Sequence, residues 1–391
     1  MSIKFKLLAA MAALSLVLGA CGKAEETASK PKVENKEKSA EKKETEENEK
    51  VAYADVFTEA TTELEKAKEG KEVDFDKVTD LYNKNFKELV QQRDAEFEDT
   101  IDEKITTALS AGKDGSMDKV VVKQLFDKLM QKVFYTSIKH DFTEVTEKWG
   151  NTEEVNAELE EAKNYYAILK TTVEKRDAAY GTTLVSVIDG GFSEIETAVK
   201  NNDQLGFNLG KQVVDKTLMK TFYLATGALP NGYATKAAAE AGKDAALAKV
   251  EQAEGWAFYQ SLSSYLSKHA ADETAFIEKQ FNLESDVKAV DPAAVNKAFV
   301  RGFAKIAIDE YGESKELFGE DKAVITGLEG ALFIDIIGED IKTLLGEDAY
   351  KTLTEKAQKY VETAKAKDKA AGEAQLNELI STLNTIVEKA K

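Results

Sequence analysis

Apolar residues along most of this chain return every three or four positions. Tyr82, Phe86, Leu89, Val90, Phe97 and Ile101 form one such run, and the spacing places them on a single face of an α-helix. From about Val51 to the C-terminus the pattern reads as helix nearly throughout. Only three prolines interrupt the chain, at 31, 230 and 292, and Asp291-Pro292 has the form of an N-cap followed by proline at the first helical position. Gly-Glu-Asp recurs at 319–321, 338–340 and 346–348, which predicts a glycine closing one helix and acids opening the next. Two stretches break the pattern. Residues 22 to about 50 are almost all Lys, Glu, Ala, Ser, Thr and Asn, too polar to offset the entropy of ordering, and predict a disordered tether. Residues 7–18 are a short unbroken apolar run behind Lys4 and Lys6.

Within the helical region the sequence repeats itself. Lys123–Tyr135 and Lys211–Tyr223 are identical at seven of thirteen positions without gaps, and Asn296–Ile308 is a fainter third copy. These are the B helices. Each follows a related A helix, in which Leu81-Tyr82 aligns with Asn164-Tyr165 and Ala257-Phe258. Eleven residues after each aromatic stands Arg93, Arg176 or His269, and two further on an alanine, Ala95, Ala178 or Ala271. Glu329-Gly-Ala-Leu-Phe333 begins a partial fourth A helix, echoing Glu161–Tyr165 and Glu254–Phe258. The expected fold is therefore all-α, with about three and a half tandem helical-hairpin units. Each hairpin covers the apolar face of its neighbour, as stacked hairpins or as fused bundles. The stretch from about Asp348 to Lys391 is expected to cap the array.

Composition adds an address. The basic start, the apolar run and the small residues of Leu18-Gly19-Ala20-Cys21 have the layout of an export signal. The cysteine directly after the small residues resembles the lipobox of bacterial lipoproteins. That resemblance covers only about twenty residues. It implies a signal peptide over 1–20 and a lipidated Cys21 as mature N-terminus, which leaves the tether over 21–50 and the helical repeat domain over 51–391. Cys21 is the only cysteine, so no thiol remains for a disulfide. The apolar run is too short to span about 30 Å of hydrocarbon, so attachment is expected through acyl chains at the extracytoplasmic face of the membrane. A net charge of −18 disfavours nucleic acid and anionic headgroups as partners of the body.

Only three of the 53 basic residues are arginine, at 93, 176 and 301, and all fall in repeated helices. Arg93, Arg176 and His269 lie on the apolar stripes of the A helices, where a cation must be paired. One reading makes them internal ion pairs that set hairpin register, with Asp127 and Asp215 as candidate partners. The other makes them sites for an anionic or polar ligand, together with the B-helix lysines Lys132, Lys220 and Lys305. His140/Glu144 and His269/Glu273 are spaced to share a helix face, but two ligands are too few for a tight metal site, so no metal or other cofactor is expected. Helical lipoproteins of the imelysin type carry His-x-x-Glu, whereas the spacing here is His-x-x-x-Glu, and their function is not carried over. No nucleophile elbow, P-loop, dinucleotide glycine pattern or zinc-protease helix is present. The sequence therefore points to a lipid-anchored binding or interaction scaffold at the cell envelope, with an envelope protein as partner. The alternative is a ligand- or metal-binding lipoprotein serving a membrane transporter.

Overall fold

The computed structural model describes residues 53–391, so Cys21, the signal peptide and the tether lie outside the described residues. The described chain is all-α, with no strand among the described residues. It opens with α1 (residues 53–65) and continues through α2 (Phe75–Asn85), α3 (Lys87–Phe97), α4 (Ile101–Asp114), α5 (Lys119–Glu147), α6 (Thr152–Tyr180), α7 (Leu184–Lys200) and α8 (Gln204–Thr226). After these come α9 (Tyr233–Glu240), α10 (Ala245–His269), α11 (Ala271–Phe281), α12 (Pro292–Glu316), α13 (Asp321–Ile336), α14 (Gly338–Leu345), α15 (Glu347–Lys365) and α16 (Lys369–Lys389). Among the described residues no helix is long and apolar enough to cross a membrane.

Local chemistry sets the helix ends. All three B helices (α5, α8 and α12) start on an aspartate whose side chain accepts from backbone N–H groups of the first turn: Asp118, Asp203 and Asp291, the last followed by Pro292 at N1. The three Gly-Glu-Asp stretches fall at the starts of α13, α14 and α15, where the acids face the positive helix end.

Additional helices stand between the long A and B helices of the repeat. A short connector separates each A helix from its B helix: α4 follows α2–α3, α7 follows α6, α11 follows α10 and α14 follows α13. Each connector packs on the long helix after it, as α4 on α5, α7 on α8, α11 on α12 and α14 on α15. The packing between units repeats as well. Helix α5 lies between α6 and α10, and α8 between α10 and α13, so each of these B helices is covered by the A helices of the next two units. Helix α12 lies between α13 and α16. The C-terminal helix thus occupies the place a fifth A helix would take, which is the capping role expected of this end. One continuous core runs from Ala60 to Ala390. Its close approaches need glycine: a Cβ on Gly255 would collide with the Phe281 ring, and one on the repeat-equivalent Gly330 would stand 2.7 Å from Tyr311.

Candidate functional site

Arg93 and Arg176 are buried, as their place on the stripe requires, whereas His269 is only partly covered, and the three meet different neighbours. Arg93 on α3 is 7% exposed and pairs with Glu96 one turn on, 3.2 Å away. Glu96 also meets His140 Nδ1 of α5 at 2.9 Å, so it joins side chains of two helices. His269, at the C-terminal end of α10 where a cation suits the helix dipole, reaches Asp309 of α12 at 3.0 Å. Arg176 is 6% exposed and has no carboxylate within ion-pair distance among the described residues; its guanidinium lies 5.9 Å from the Tyr233 ring centroid.

Asp127 and Asp215 do not meet these A-helix cations. Asp127 binds Lys128 at 2.7 Å and Lys123 at 3.2 Å and accepts from Gln131, all on its own helix. Asp215 binds Lys216 at 2.6 Å and accepts from the Tyr135 hydroxyl of α5, also at 2.6 Å. The i−4, i+1 and i+4 neighbours of Asp127 reach it sooner than any side chain of another unit can. Burial alone would raise the Asp215 carboxyl, but Lys216 and Lys139 outweigh it and hold it at about 2. The same balance, struck by Lys128 and Lys123, keeps Asp127 ionised well below the usual carboxylate range.

The B-helix lysines each close on a carboxylate of the chain itself. Lys132 pairs with Asp99, the connector residue just after α3. Burial pushes the Asp99 carboxyl up, and Lys132 and Lys104 more than offset that. Lys220 bridges to the side chain and backbone carbonyl of Asp335 on α13, at 2.9 and 2.8 Å. Lys305 binds Glu273 of α11 at 2.7 Å, and Arg301 binds the other oxygen of the same carboxylate at 3.1 Å. Glu273 therefore balances Arg301 and Lys305, not the His269 that precedes it on the chain. His140 and Glu144 also part company, since Glu144 pairs with Lys148. Among the described residues no three His, Cys, Asp or Glu side chains come together to hold a metal ion.

Several buried polar contacts carry no sequence signal strong enough to single them out. Asp94 accepts from the N–H groups of Ile101 and Asp102, and Asp177 from those of Leu184 and Val185. The matching Arg-Asp-x-x-x-x-x-Thr spacing of 93–100 and 176–183 is the pattern that would have revealed them. Tyr223 donates to Asp340 at 2.6 Å, and Asn296 donates to both. Glu310 of α12 and Glu329 of α13 are 6% and 8% exposed and lie side by side, with Tyr265 donating to Glu310 at 2.9 Å. An open groove of ≈ 530 Å³ lies between the end of α1 and the start of α5. Its charged lining is largely self-satisfied: Glu63 binds Lys66 and the Asp74 N–H, and Asp76 binds Lys113.

Compared with protein-family models, curated proteins and solved structures, the chain matches none.

Proposed function

We propose that the chain is a lipoprotein held at the extracytoplasmic face of a bacterial membrane by acyl groups on Cys21, and that its helical body serves as an interaction scaffold. One observation supports the scaffold reading above the others. Lys132, Lys220 and Lys305, the cations best placed by the repeat to receive a ligand, are each consumed by a carboxylate of the same chain. Their charge is spent on fixing connector and A helices against B helices, so recognition falls to the outer surface. That surface is acidic, with 43 basic and 62 acidic residues over 51–391. It suits a cationic protein partner and holds the body off anionic headgroups.

Palmitate labelling in a bacterial host tests the anchor. The wild-type chain takes up label and sediments with membranes, and Cys21→Ala loses the label and becomes soluble. Label retained in Cys21→Ala, or none in the wild type, overturns it.

The ligand-binding reading draws support at one place. Arg176 Nε is buried without a hydrogen-bond acceptor, beside the Tyr233 ring. A small anion held there would raise the melting temperature of the wild type and leave Arg176→Met unchanged; equal shifts in both would exclude that site.

A further inference from the structure

Two buried acids of this protein face each other where α12 packs on α13. Glu310 on α12 and Glu329 on α13 are close enough for their carboxyl groups to share a hydrogen bond, and both are almost fully enclosed. Glu329 is the fourth-copy counterpart of Glu161 and Glu254. The Tyr165 hydroxyl donates to Glu161, and Glu254 lies against the Tyr233 hydroxyl. In the fourth copy the neighbour is a second carboxyl group instead.

The cations packed around this pair make their direct contacts elsewhere, though Lys139, Lys211 and Lys216 attract Glu329 across the site. From α8, Lys216 is bound to Asp215 and lies over the faces of Tyr265 and Phe333, at 4.8 and 5.3 Å from their centroids. Also from α8, Lys211 lies over the Phe207 ring. From α5, Lys139 lies over Phe97, Tyr135 and Tyr265. From α10, His269 turns to Asp309, and Tyr265 donates its single proton to Glu310. No Lys, Arg or His forms an ion pair with Glu310 or Glu329 among the described residues. Two carboxylates side by side in a dry site cannot both ionise. One must keep a proton, and that proton makes the O–H···O⁻ bond between the helices.

We propose that Glu310 and Glu329 form a proton-operated latch that closes α12 on α13 while one proton is shared and loosens when that proton leaves. Burial and the Glu329 charge push the Glu310 carboxyl up to about 8, against the opposing pull of Tyr265 and Lys216. The latch is therefore shut at neutral pH and opens in mildly alkaline surroundings. Opening leaves two buried negative charges side by side, which the attraction of Lys139, Lys211 and Lys216 offsets only in part, and the strain is relieved by letting water in between α12 and α13. Helix α13 also packs on α8 and α15, so the event reaches the C-terminal unit and the second B helix.

Hydrogen exchange of the full mature chain tests the latch, with rates corrected for the intrinsic effect of pH. Between about pH 6.5 and about pH 9, peptides from α12 and α13 should lose roughly tenfold in protection, the change expected one unit above the site's midpoint. Peptides from α6 and α7 should not change. Glu310→Gln keeps a donor for Glu329 without the charge and should remove the pH response. A carbon-13 titration of the wild-type glutamate carboxyls gives a second readout that needs no variant: one resonance should shift near pH 8. A wild type whose α12 and α13 protection is independent of pH, a Glu310→Gln protein with the same loss, or a spectrum with every glutamate titrating in the usual acidic range would each overturn the proposal.

Discussion

Asp177 stands to Asp94 as its structural copy: each sits one residue after a buried arginine and caps the connector helix that begins seven residues later. Both carboxylates accept from two backbone N–H groups, at 2.8 and 2.8 Å for Asp94 and at 2.6 and 3.1 Å for Asp177. The capped N–H groups have no partner within their own helix. Asp177→Ala is expected to cost about 1–2 kcal/mol, and Asp94→Ala a similar amount, whereas Asp177→Asn keeps an acceptor and costs less. Urea unfolding of the three variants checks this. Equal losses for the alanine and asparagine changes at Asp177 would contradict it.

The residue that ends each of these A helices is left-handed. Glu98 takes φ 55° after Phe97, and Gly181 takes φ 65° after Tyr180. Glycine adopts that region freely, while a residue with a Cβ gives up about 1 kcal/mol or more. Glu98→Gly should therefore stabilise the protein and Gly181→Ala should destabilise it, each by roughly 1 kcal/mol. Thermal unfolding of the pair reads the opposite signs directly.

These two sites also show where the sequence was legible. The recurrence of Arg93 and Arg176 on apolar stripes, and of Lys132, Lys220 and Lys305 on B helices, follows from helical spacing alone, as does their burial or partial burial. The connectors were not separated from the A helices, because the break is a few residues carrying one left-handed position and one aspartate cap, and an aspartate beside an arginine reads as surface charge. Ion-pair partners were not legible: matching B-helix positions suggested Asp127 and Asp215, whereas Arg93 meets Glu96 one turn on and those aspartates close on lysines of their own helices. Lys220–Asp335 and Tyr223–Asp340 join residues more than a hundred positions apart. They depend on α13 packing against α8, which periodicity does not encode. Glu273 shows the same limit: its nearest cation along the chain is His269, but the fold hands it Arg301 and Lys305.

Arg176 should behave unlike a member of an ion pair. Its guanidinium rests near the Tyr233 ring and has no carboxylate to strand when it is removed. Arg176→Ala is expected to cost about 1–3 kcal/mol through lost packing and the cation–π contact. That loss should be insensitive to added salt. A loss that shrinks steeply between low and high ionic strength would point to an ionic partner instead.

Acid should unfold the body through its B helices. The Asp215 carboxyl is held at about 2 against an unfolded value of 3.8, and Asp127 is held lower still. A depressed folded pKa contributes stability that is present above the unfolded value and is lost as pH falls through the folded one. Melting temperature should therefore drop between about pH 4 and pH 2, the window set by those two values for Asp215. Asp215→Asn should start from a lower melting temperature at neutral pH and fall less across that window.

The central claim is that the B-helix lysines Lys132, Lys220 and Lys305 are neutralised from within the chain, and the Lys132–Asp99 pair is its sharpest case, both side chains being nearly inaccessible at 5% and 9% exposure. A double-mutant cycle with Lys132→Met and Asp99→Asn, followed by urea unfolding, tests it most directly. Asp99→Asn strands the buried Lys132 and should cost about 3–5 kcal/mol, Lys132→Met should cost less because Lys104 still pairs with Asp99, and the double change should cost less than their sum. Losses that simply add would mean that Lys132 and Asp99 do not depend on each other, and that the lysine is free for something outside the chain.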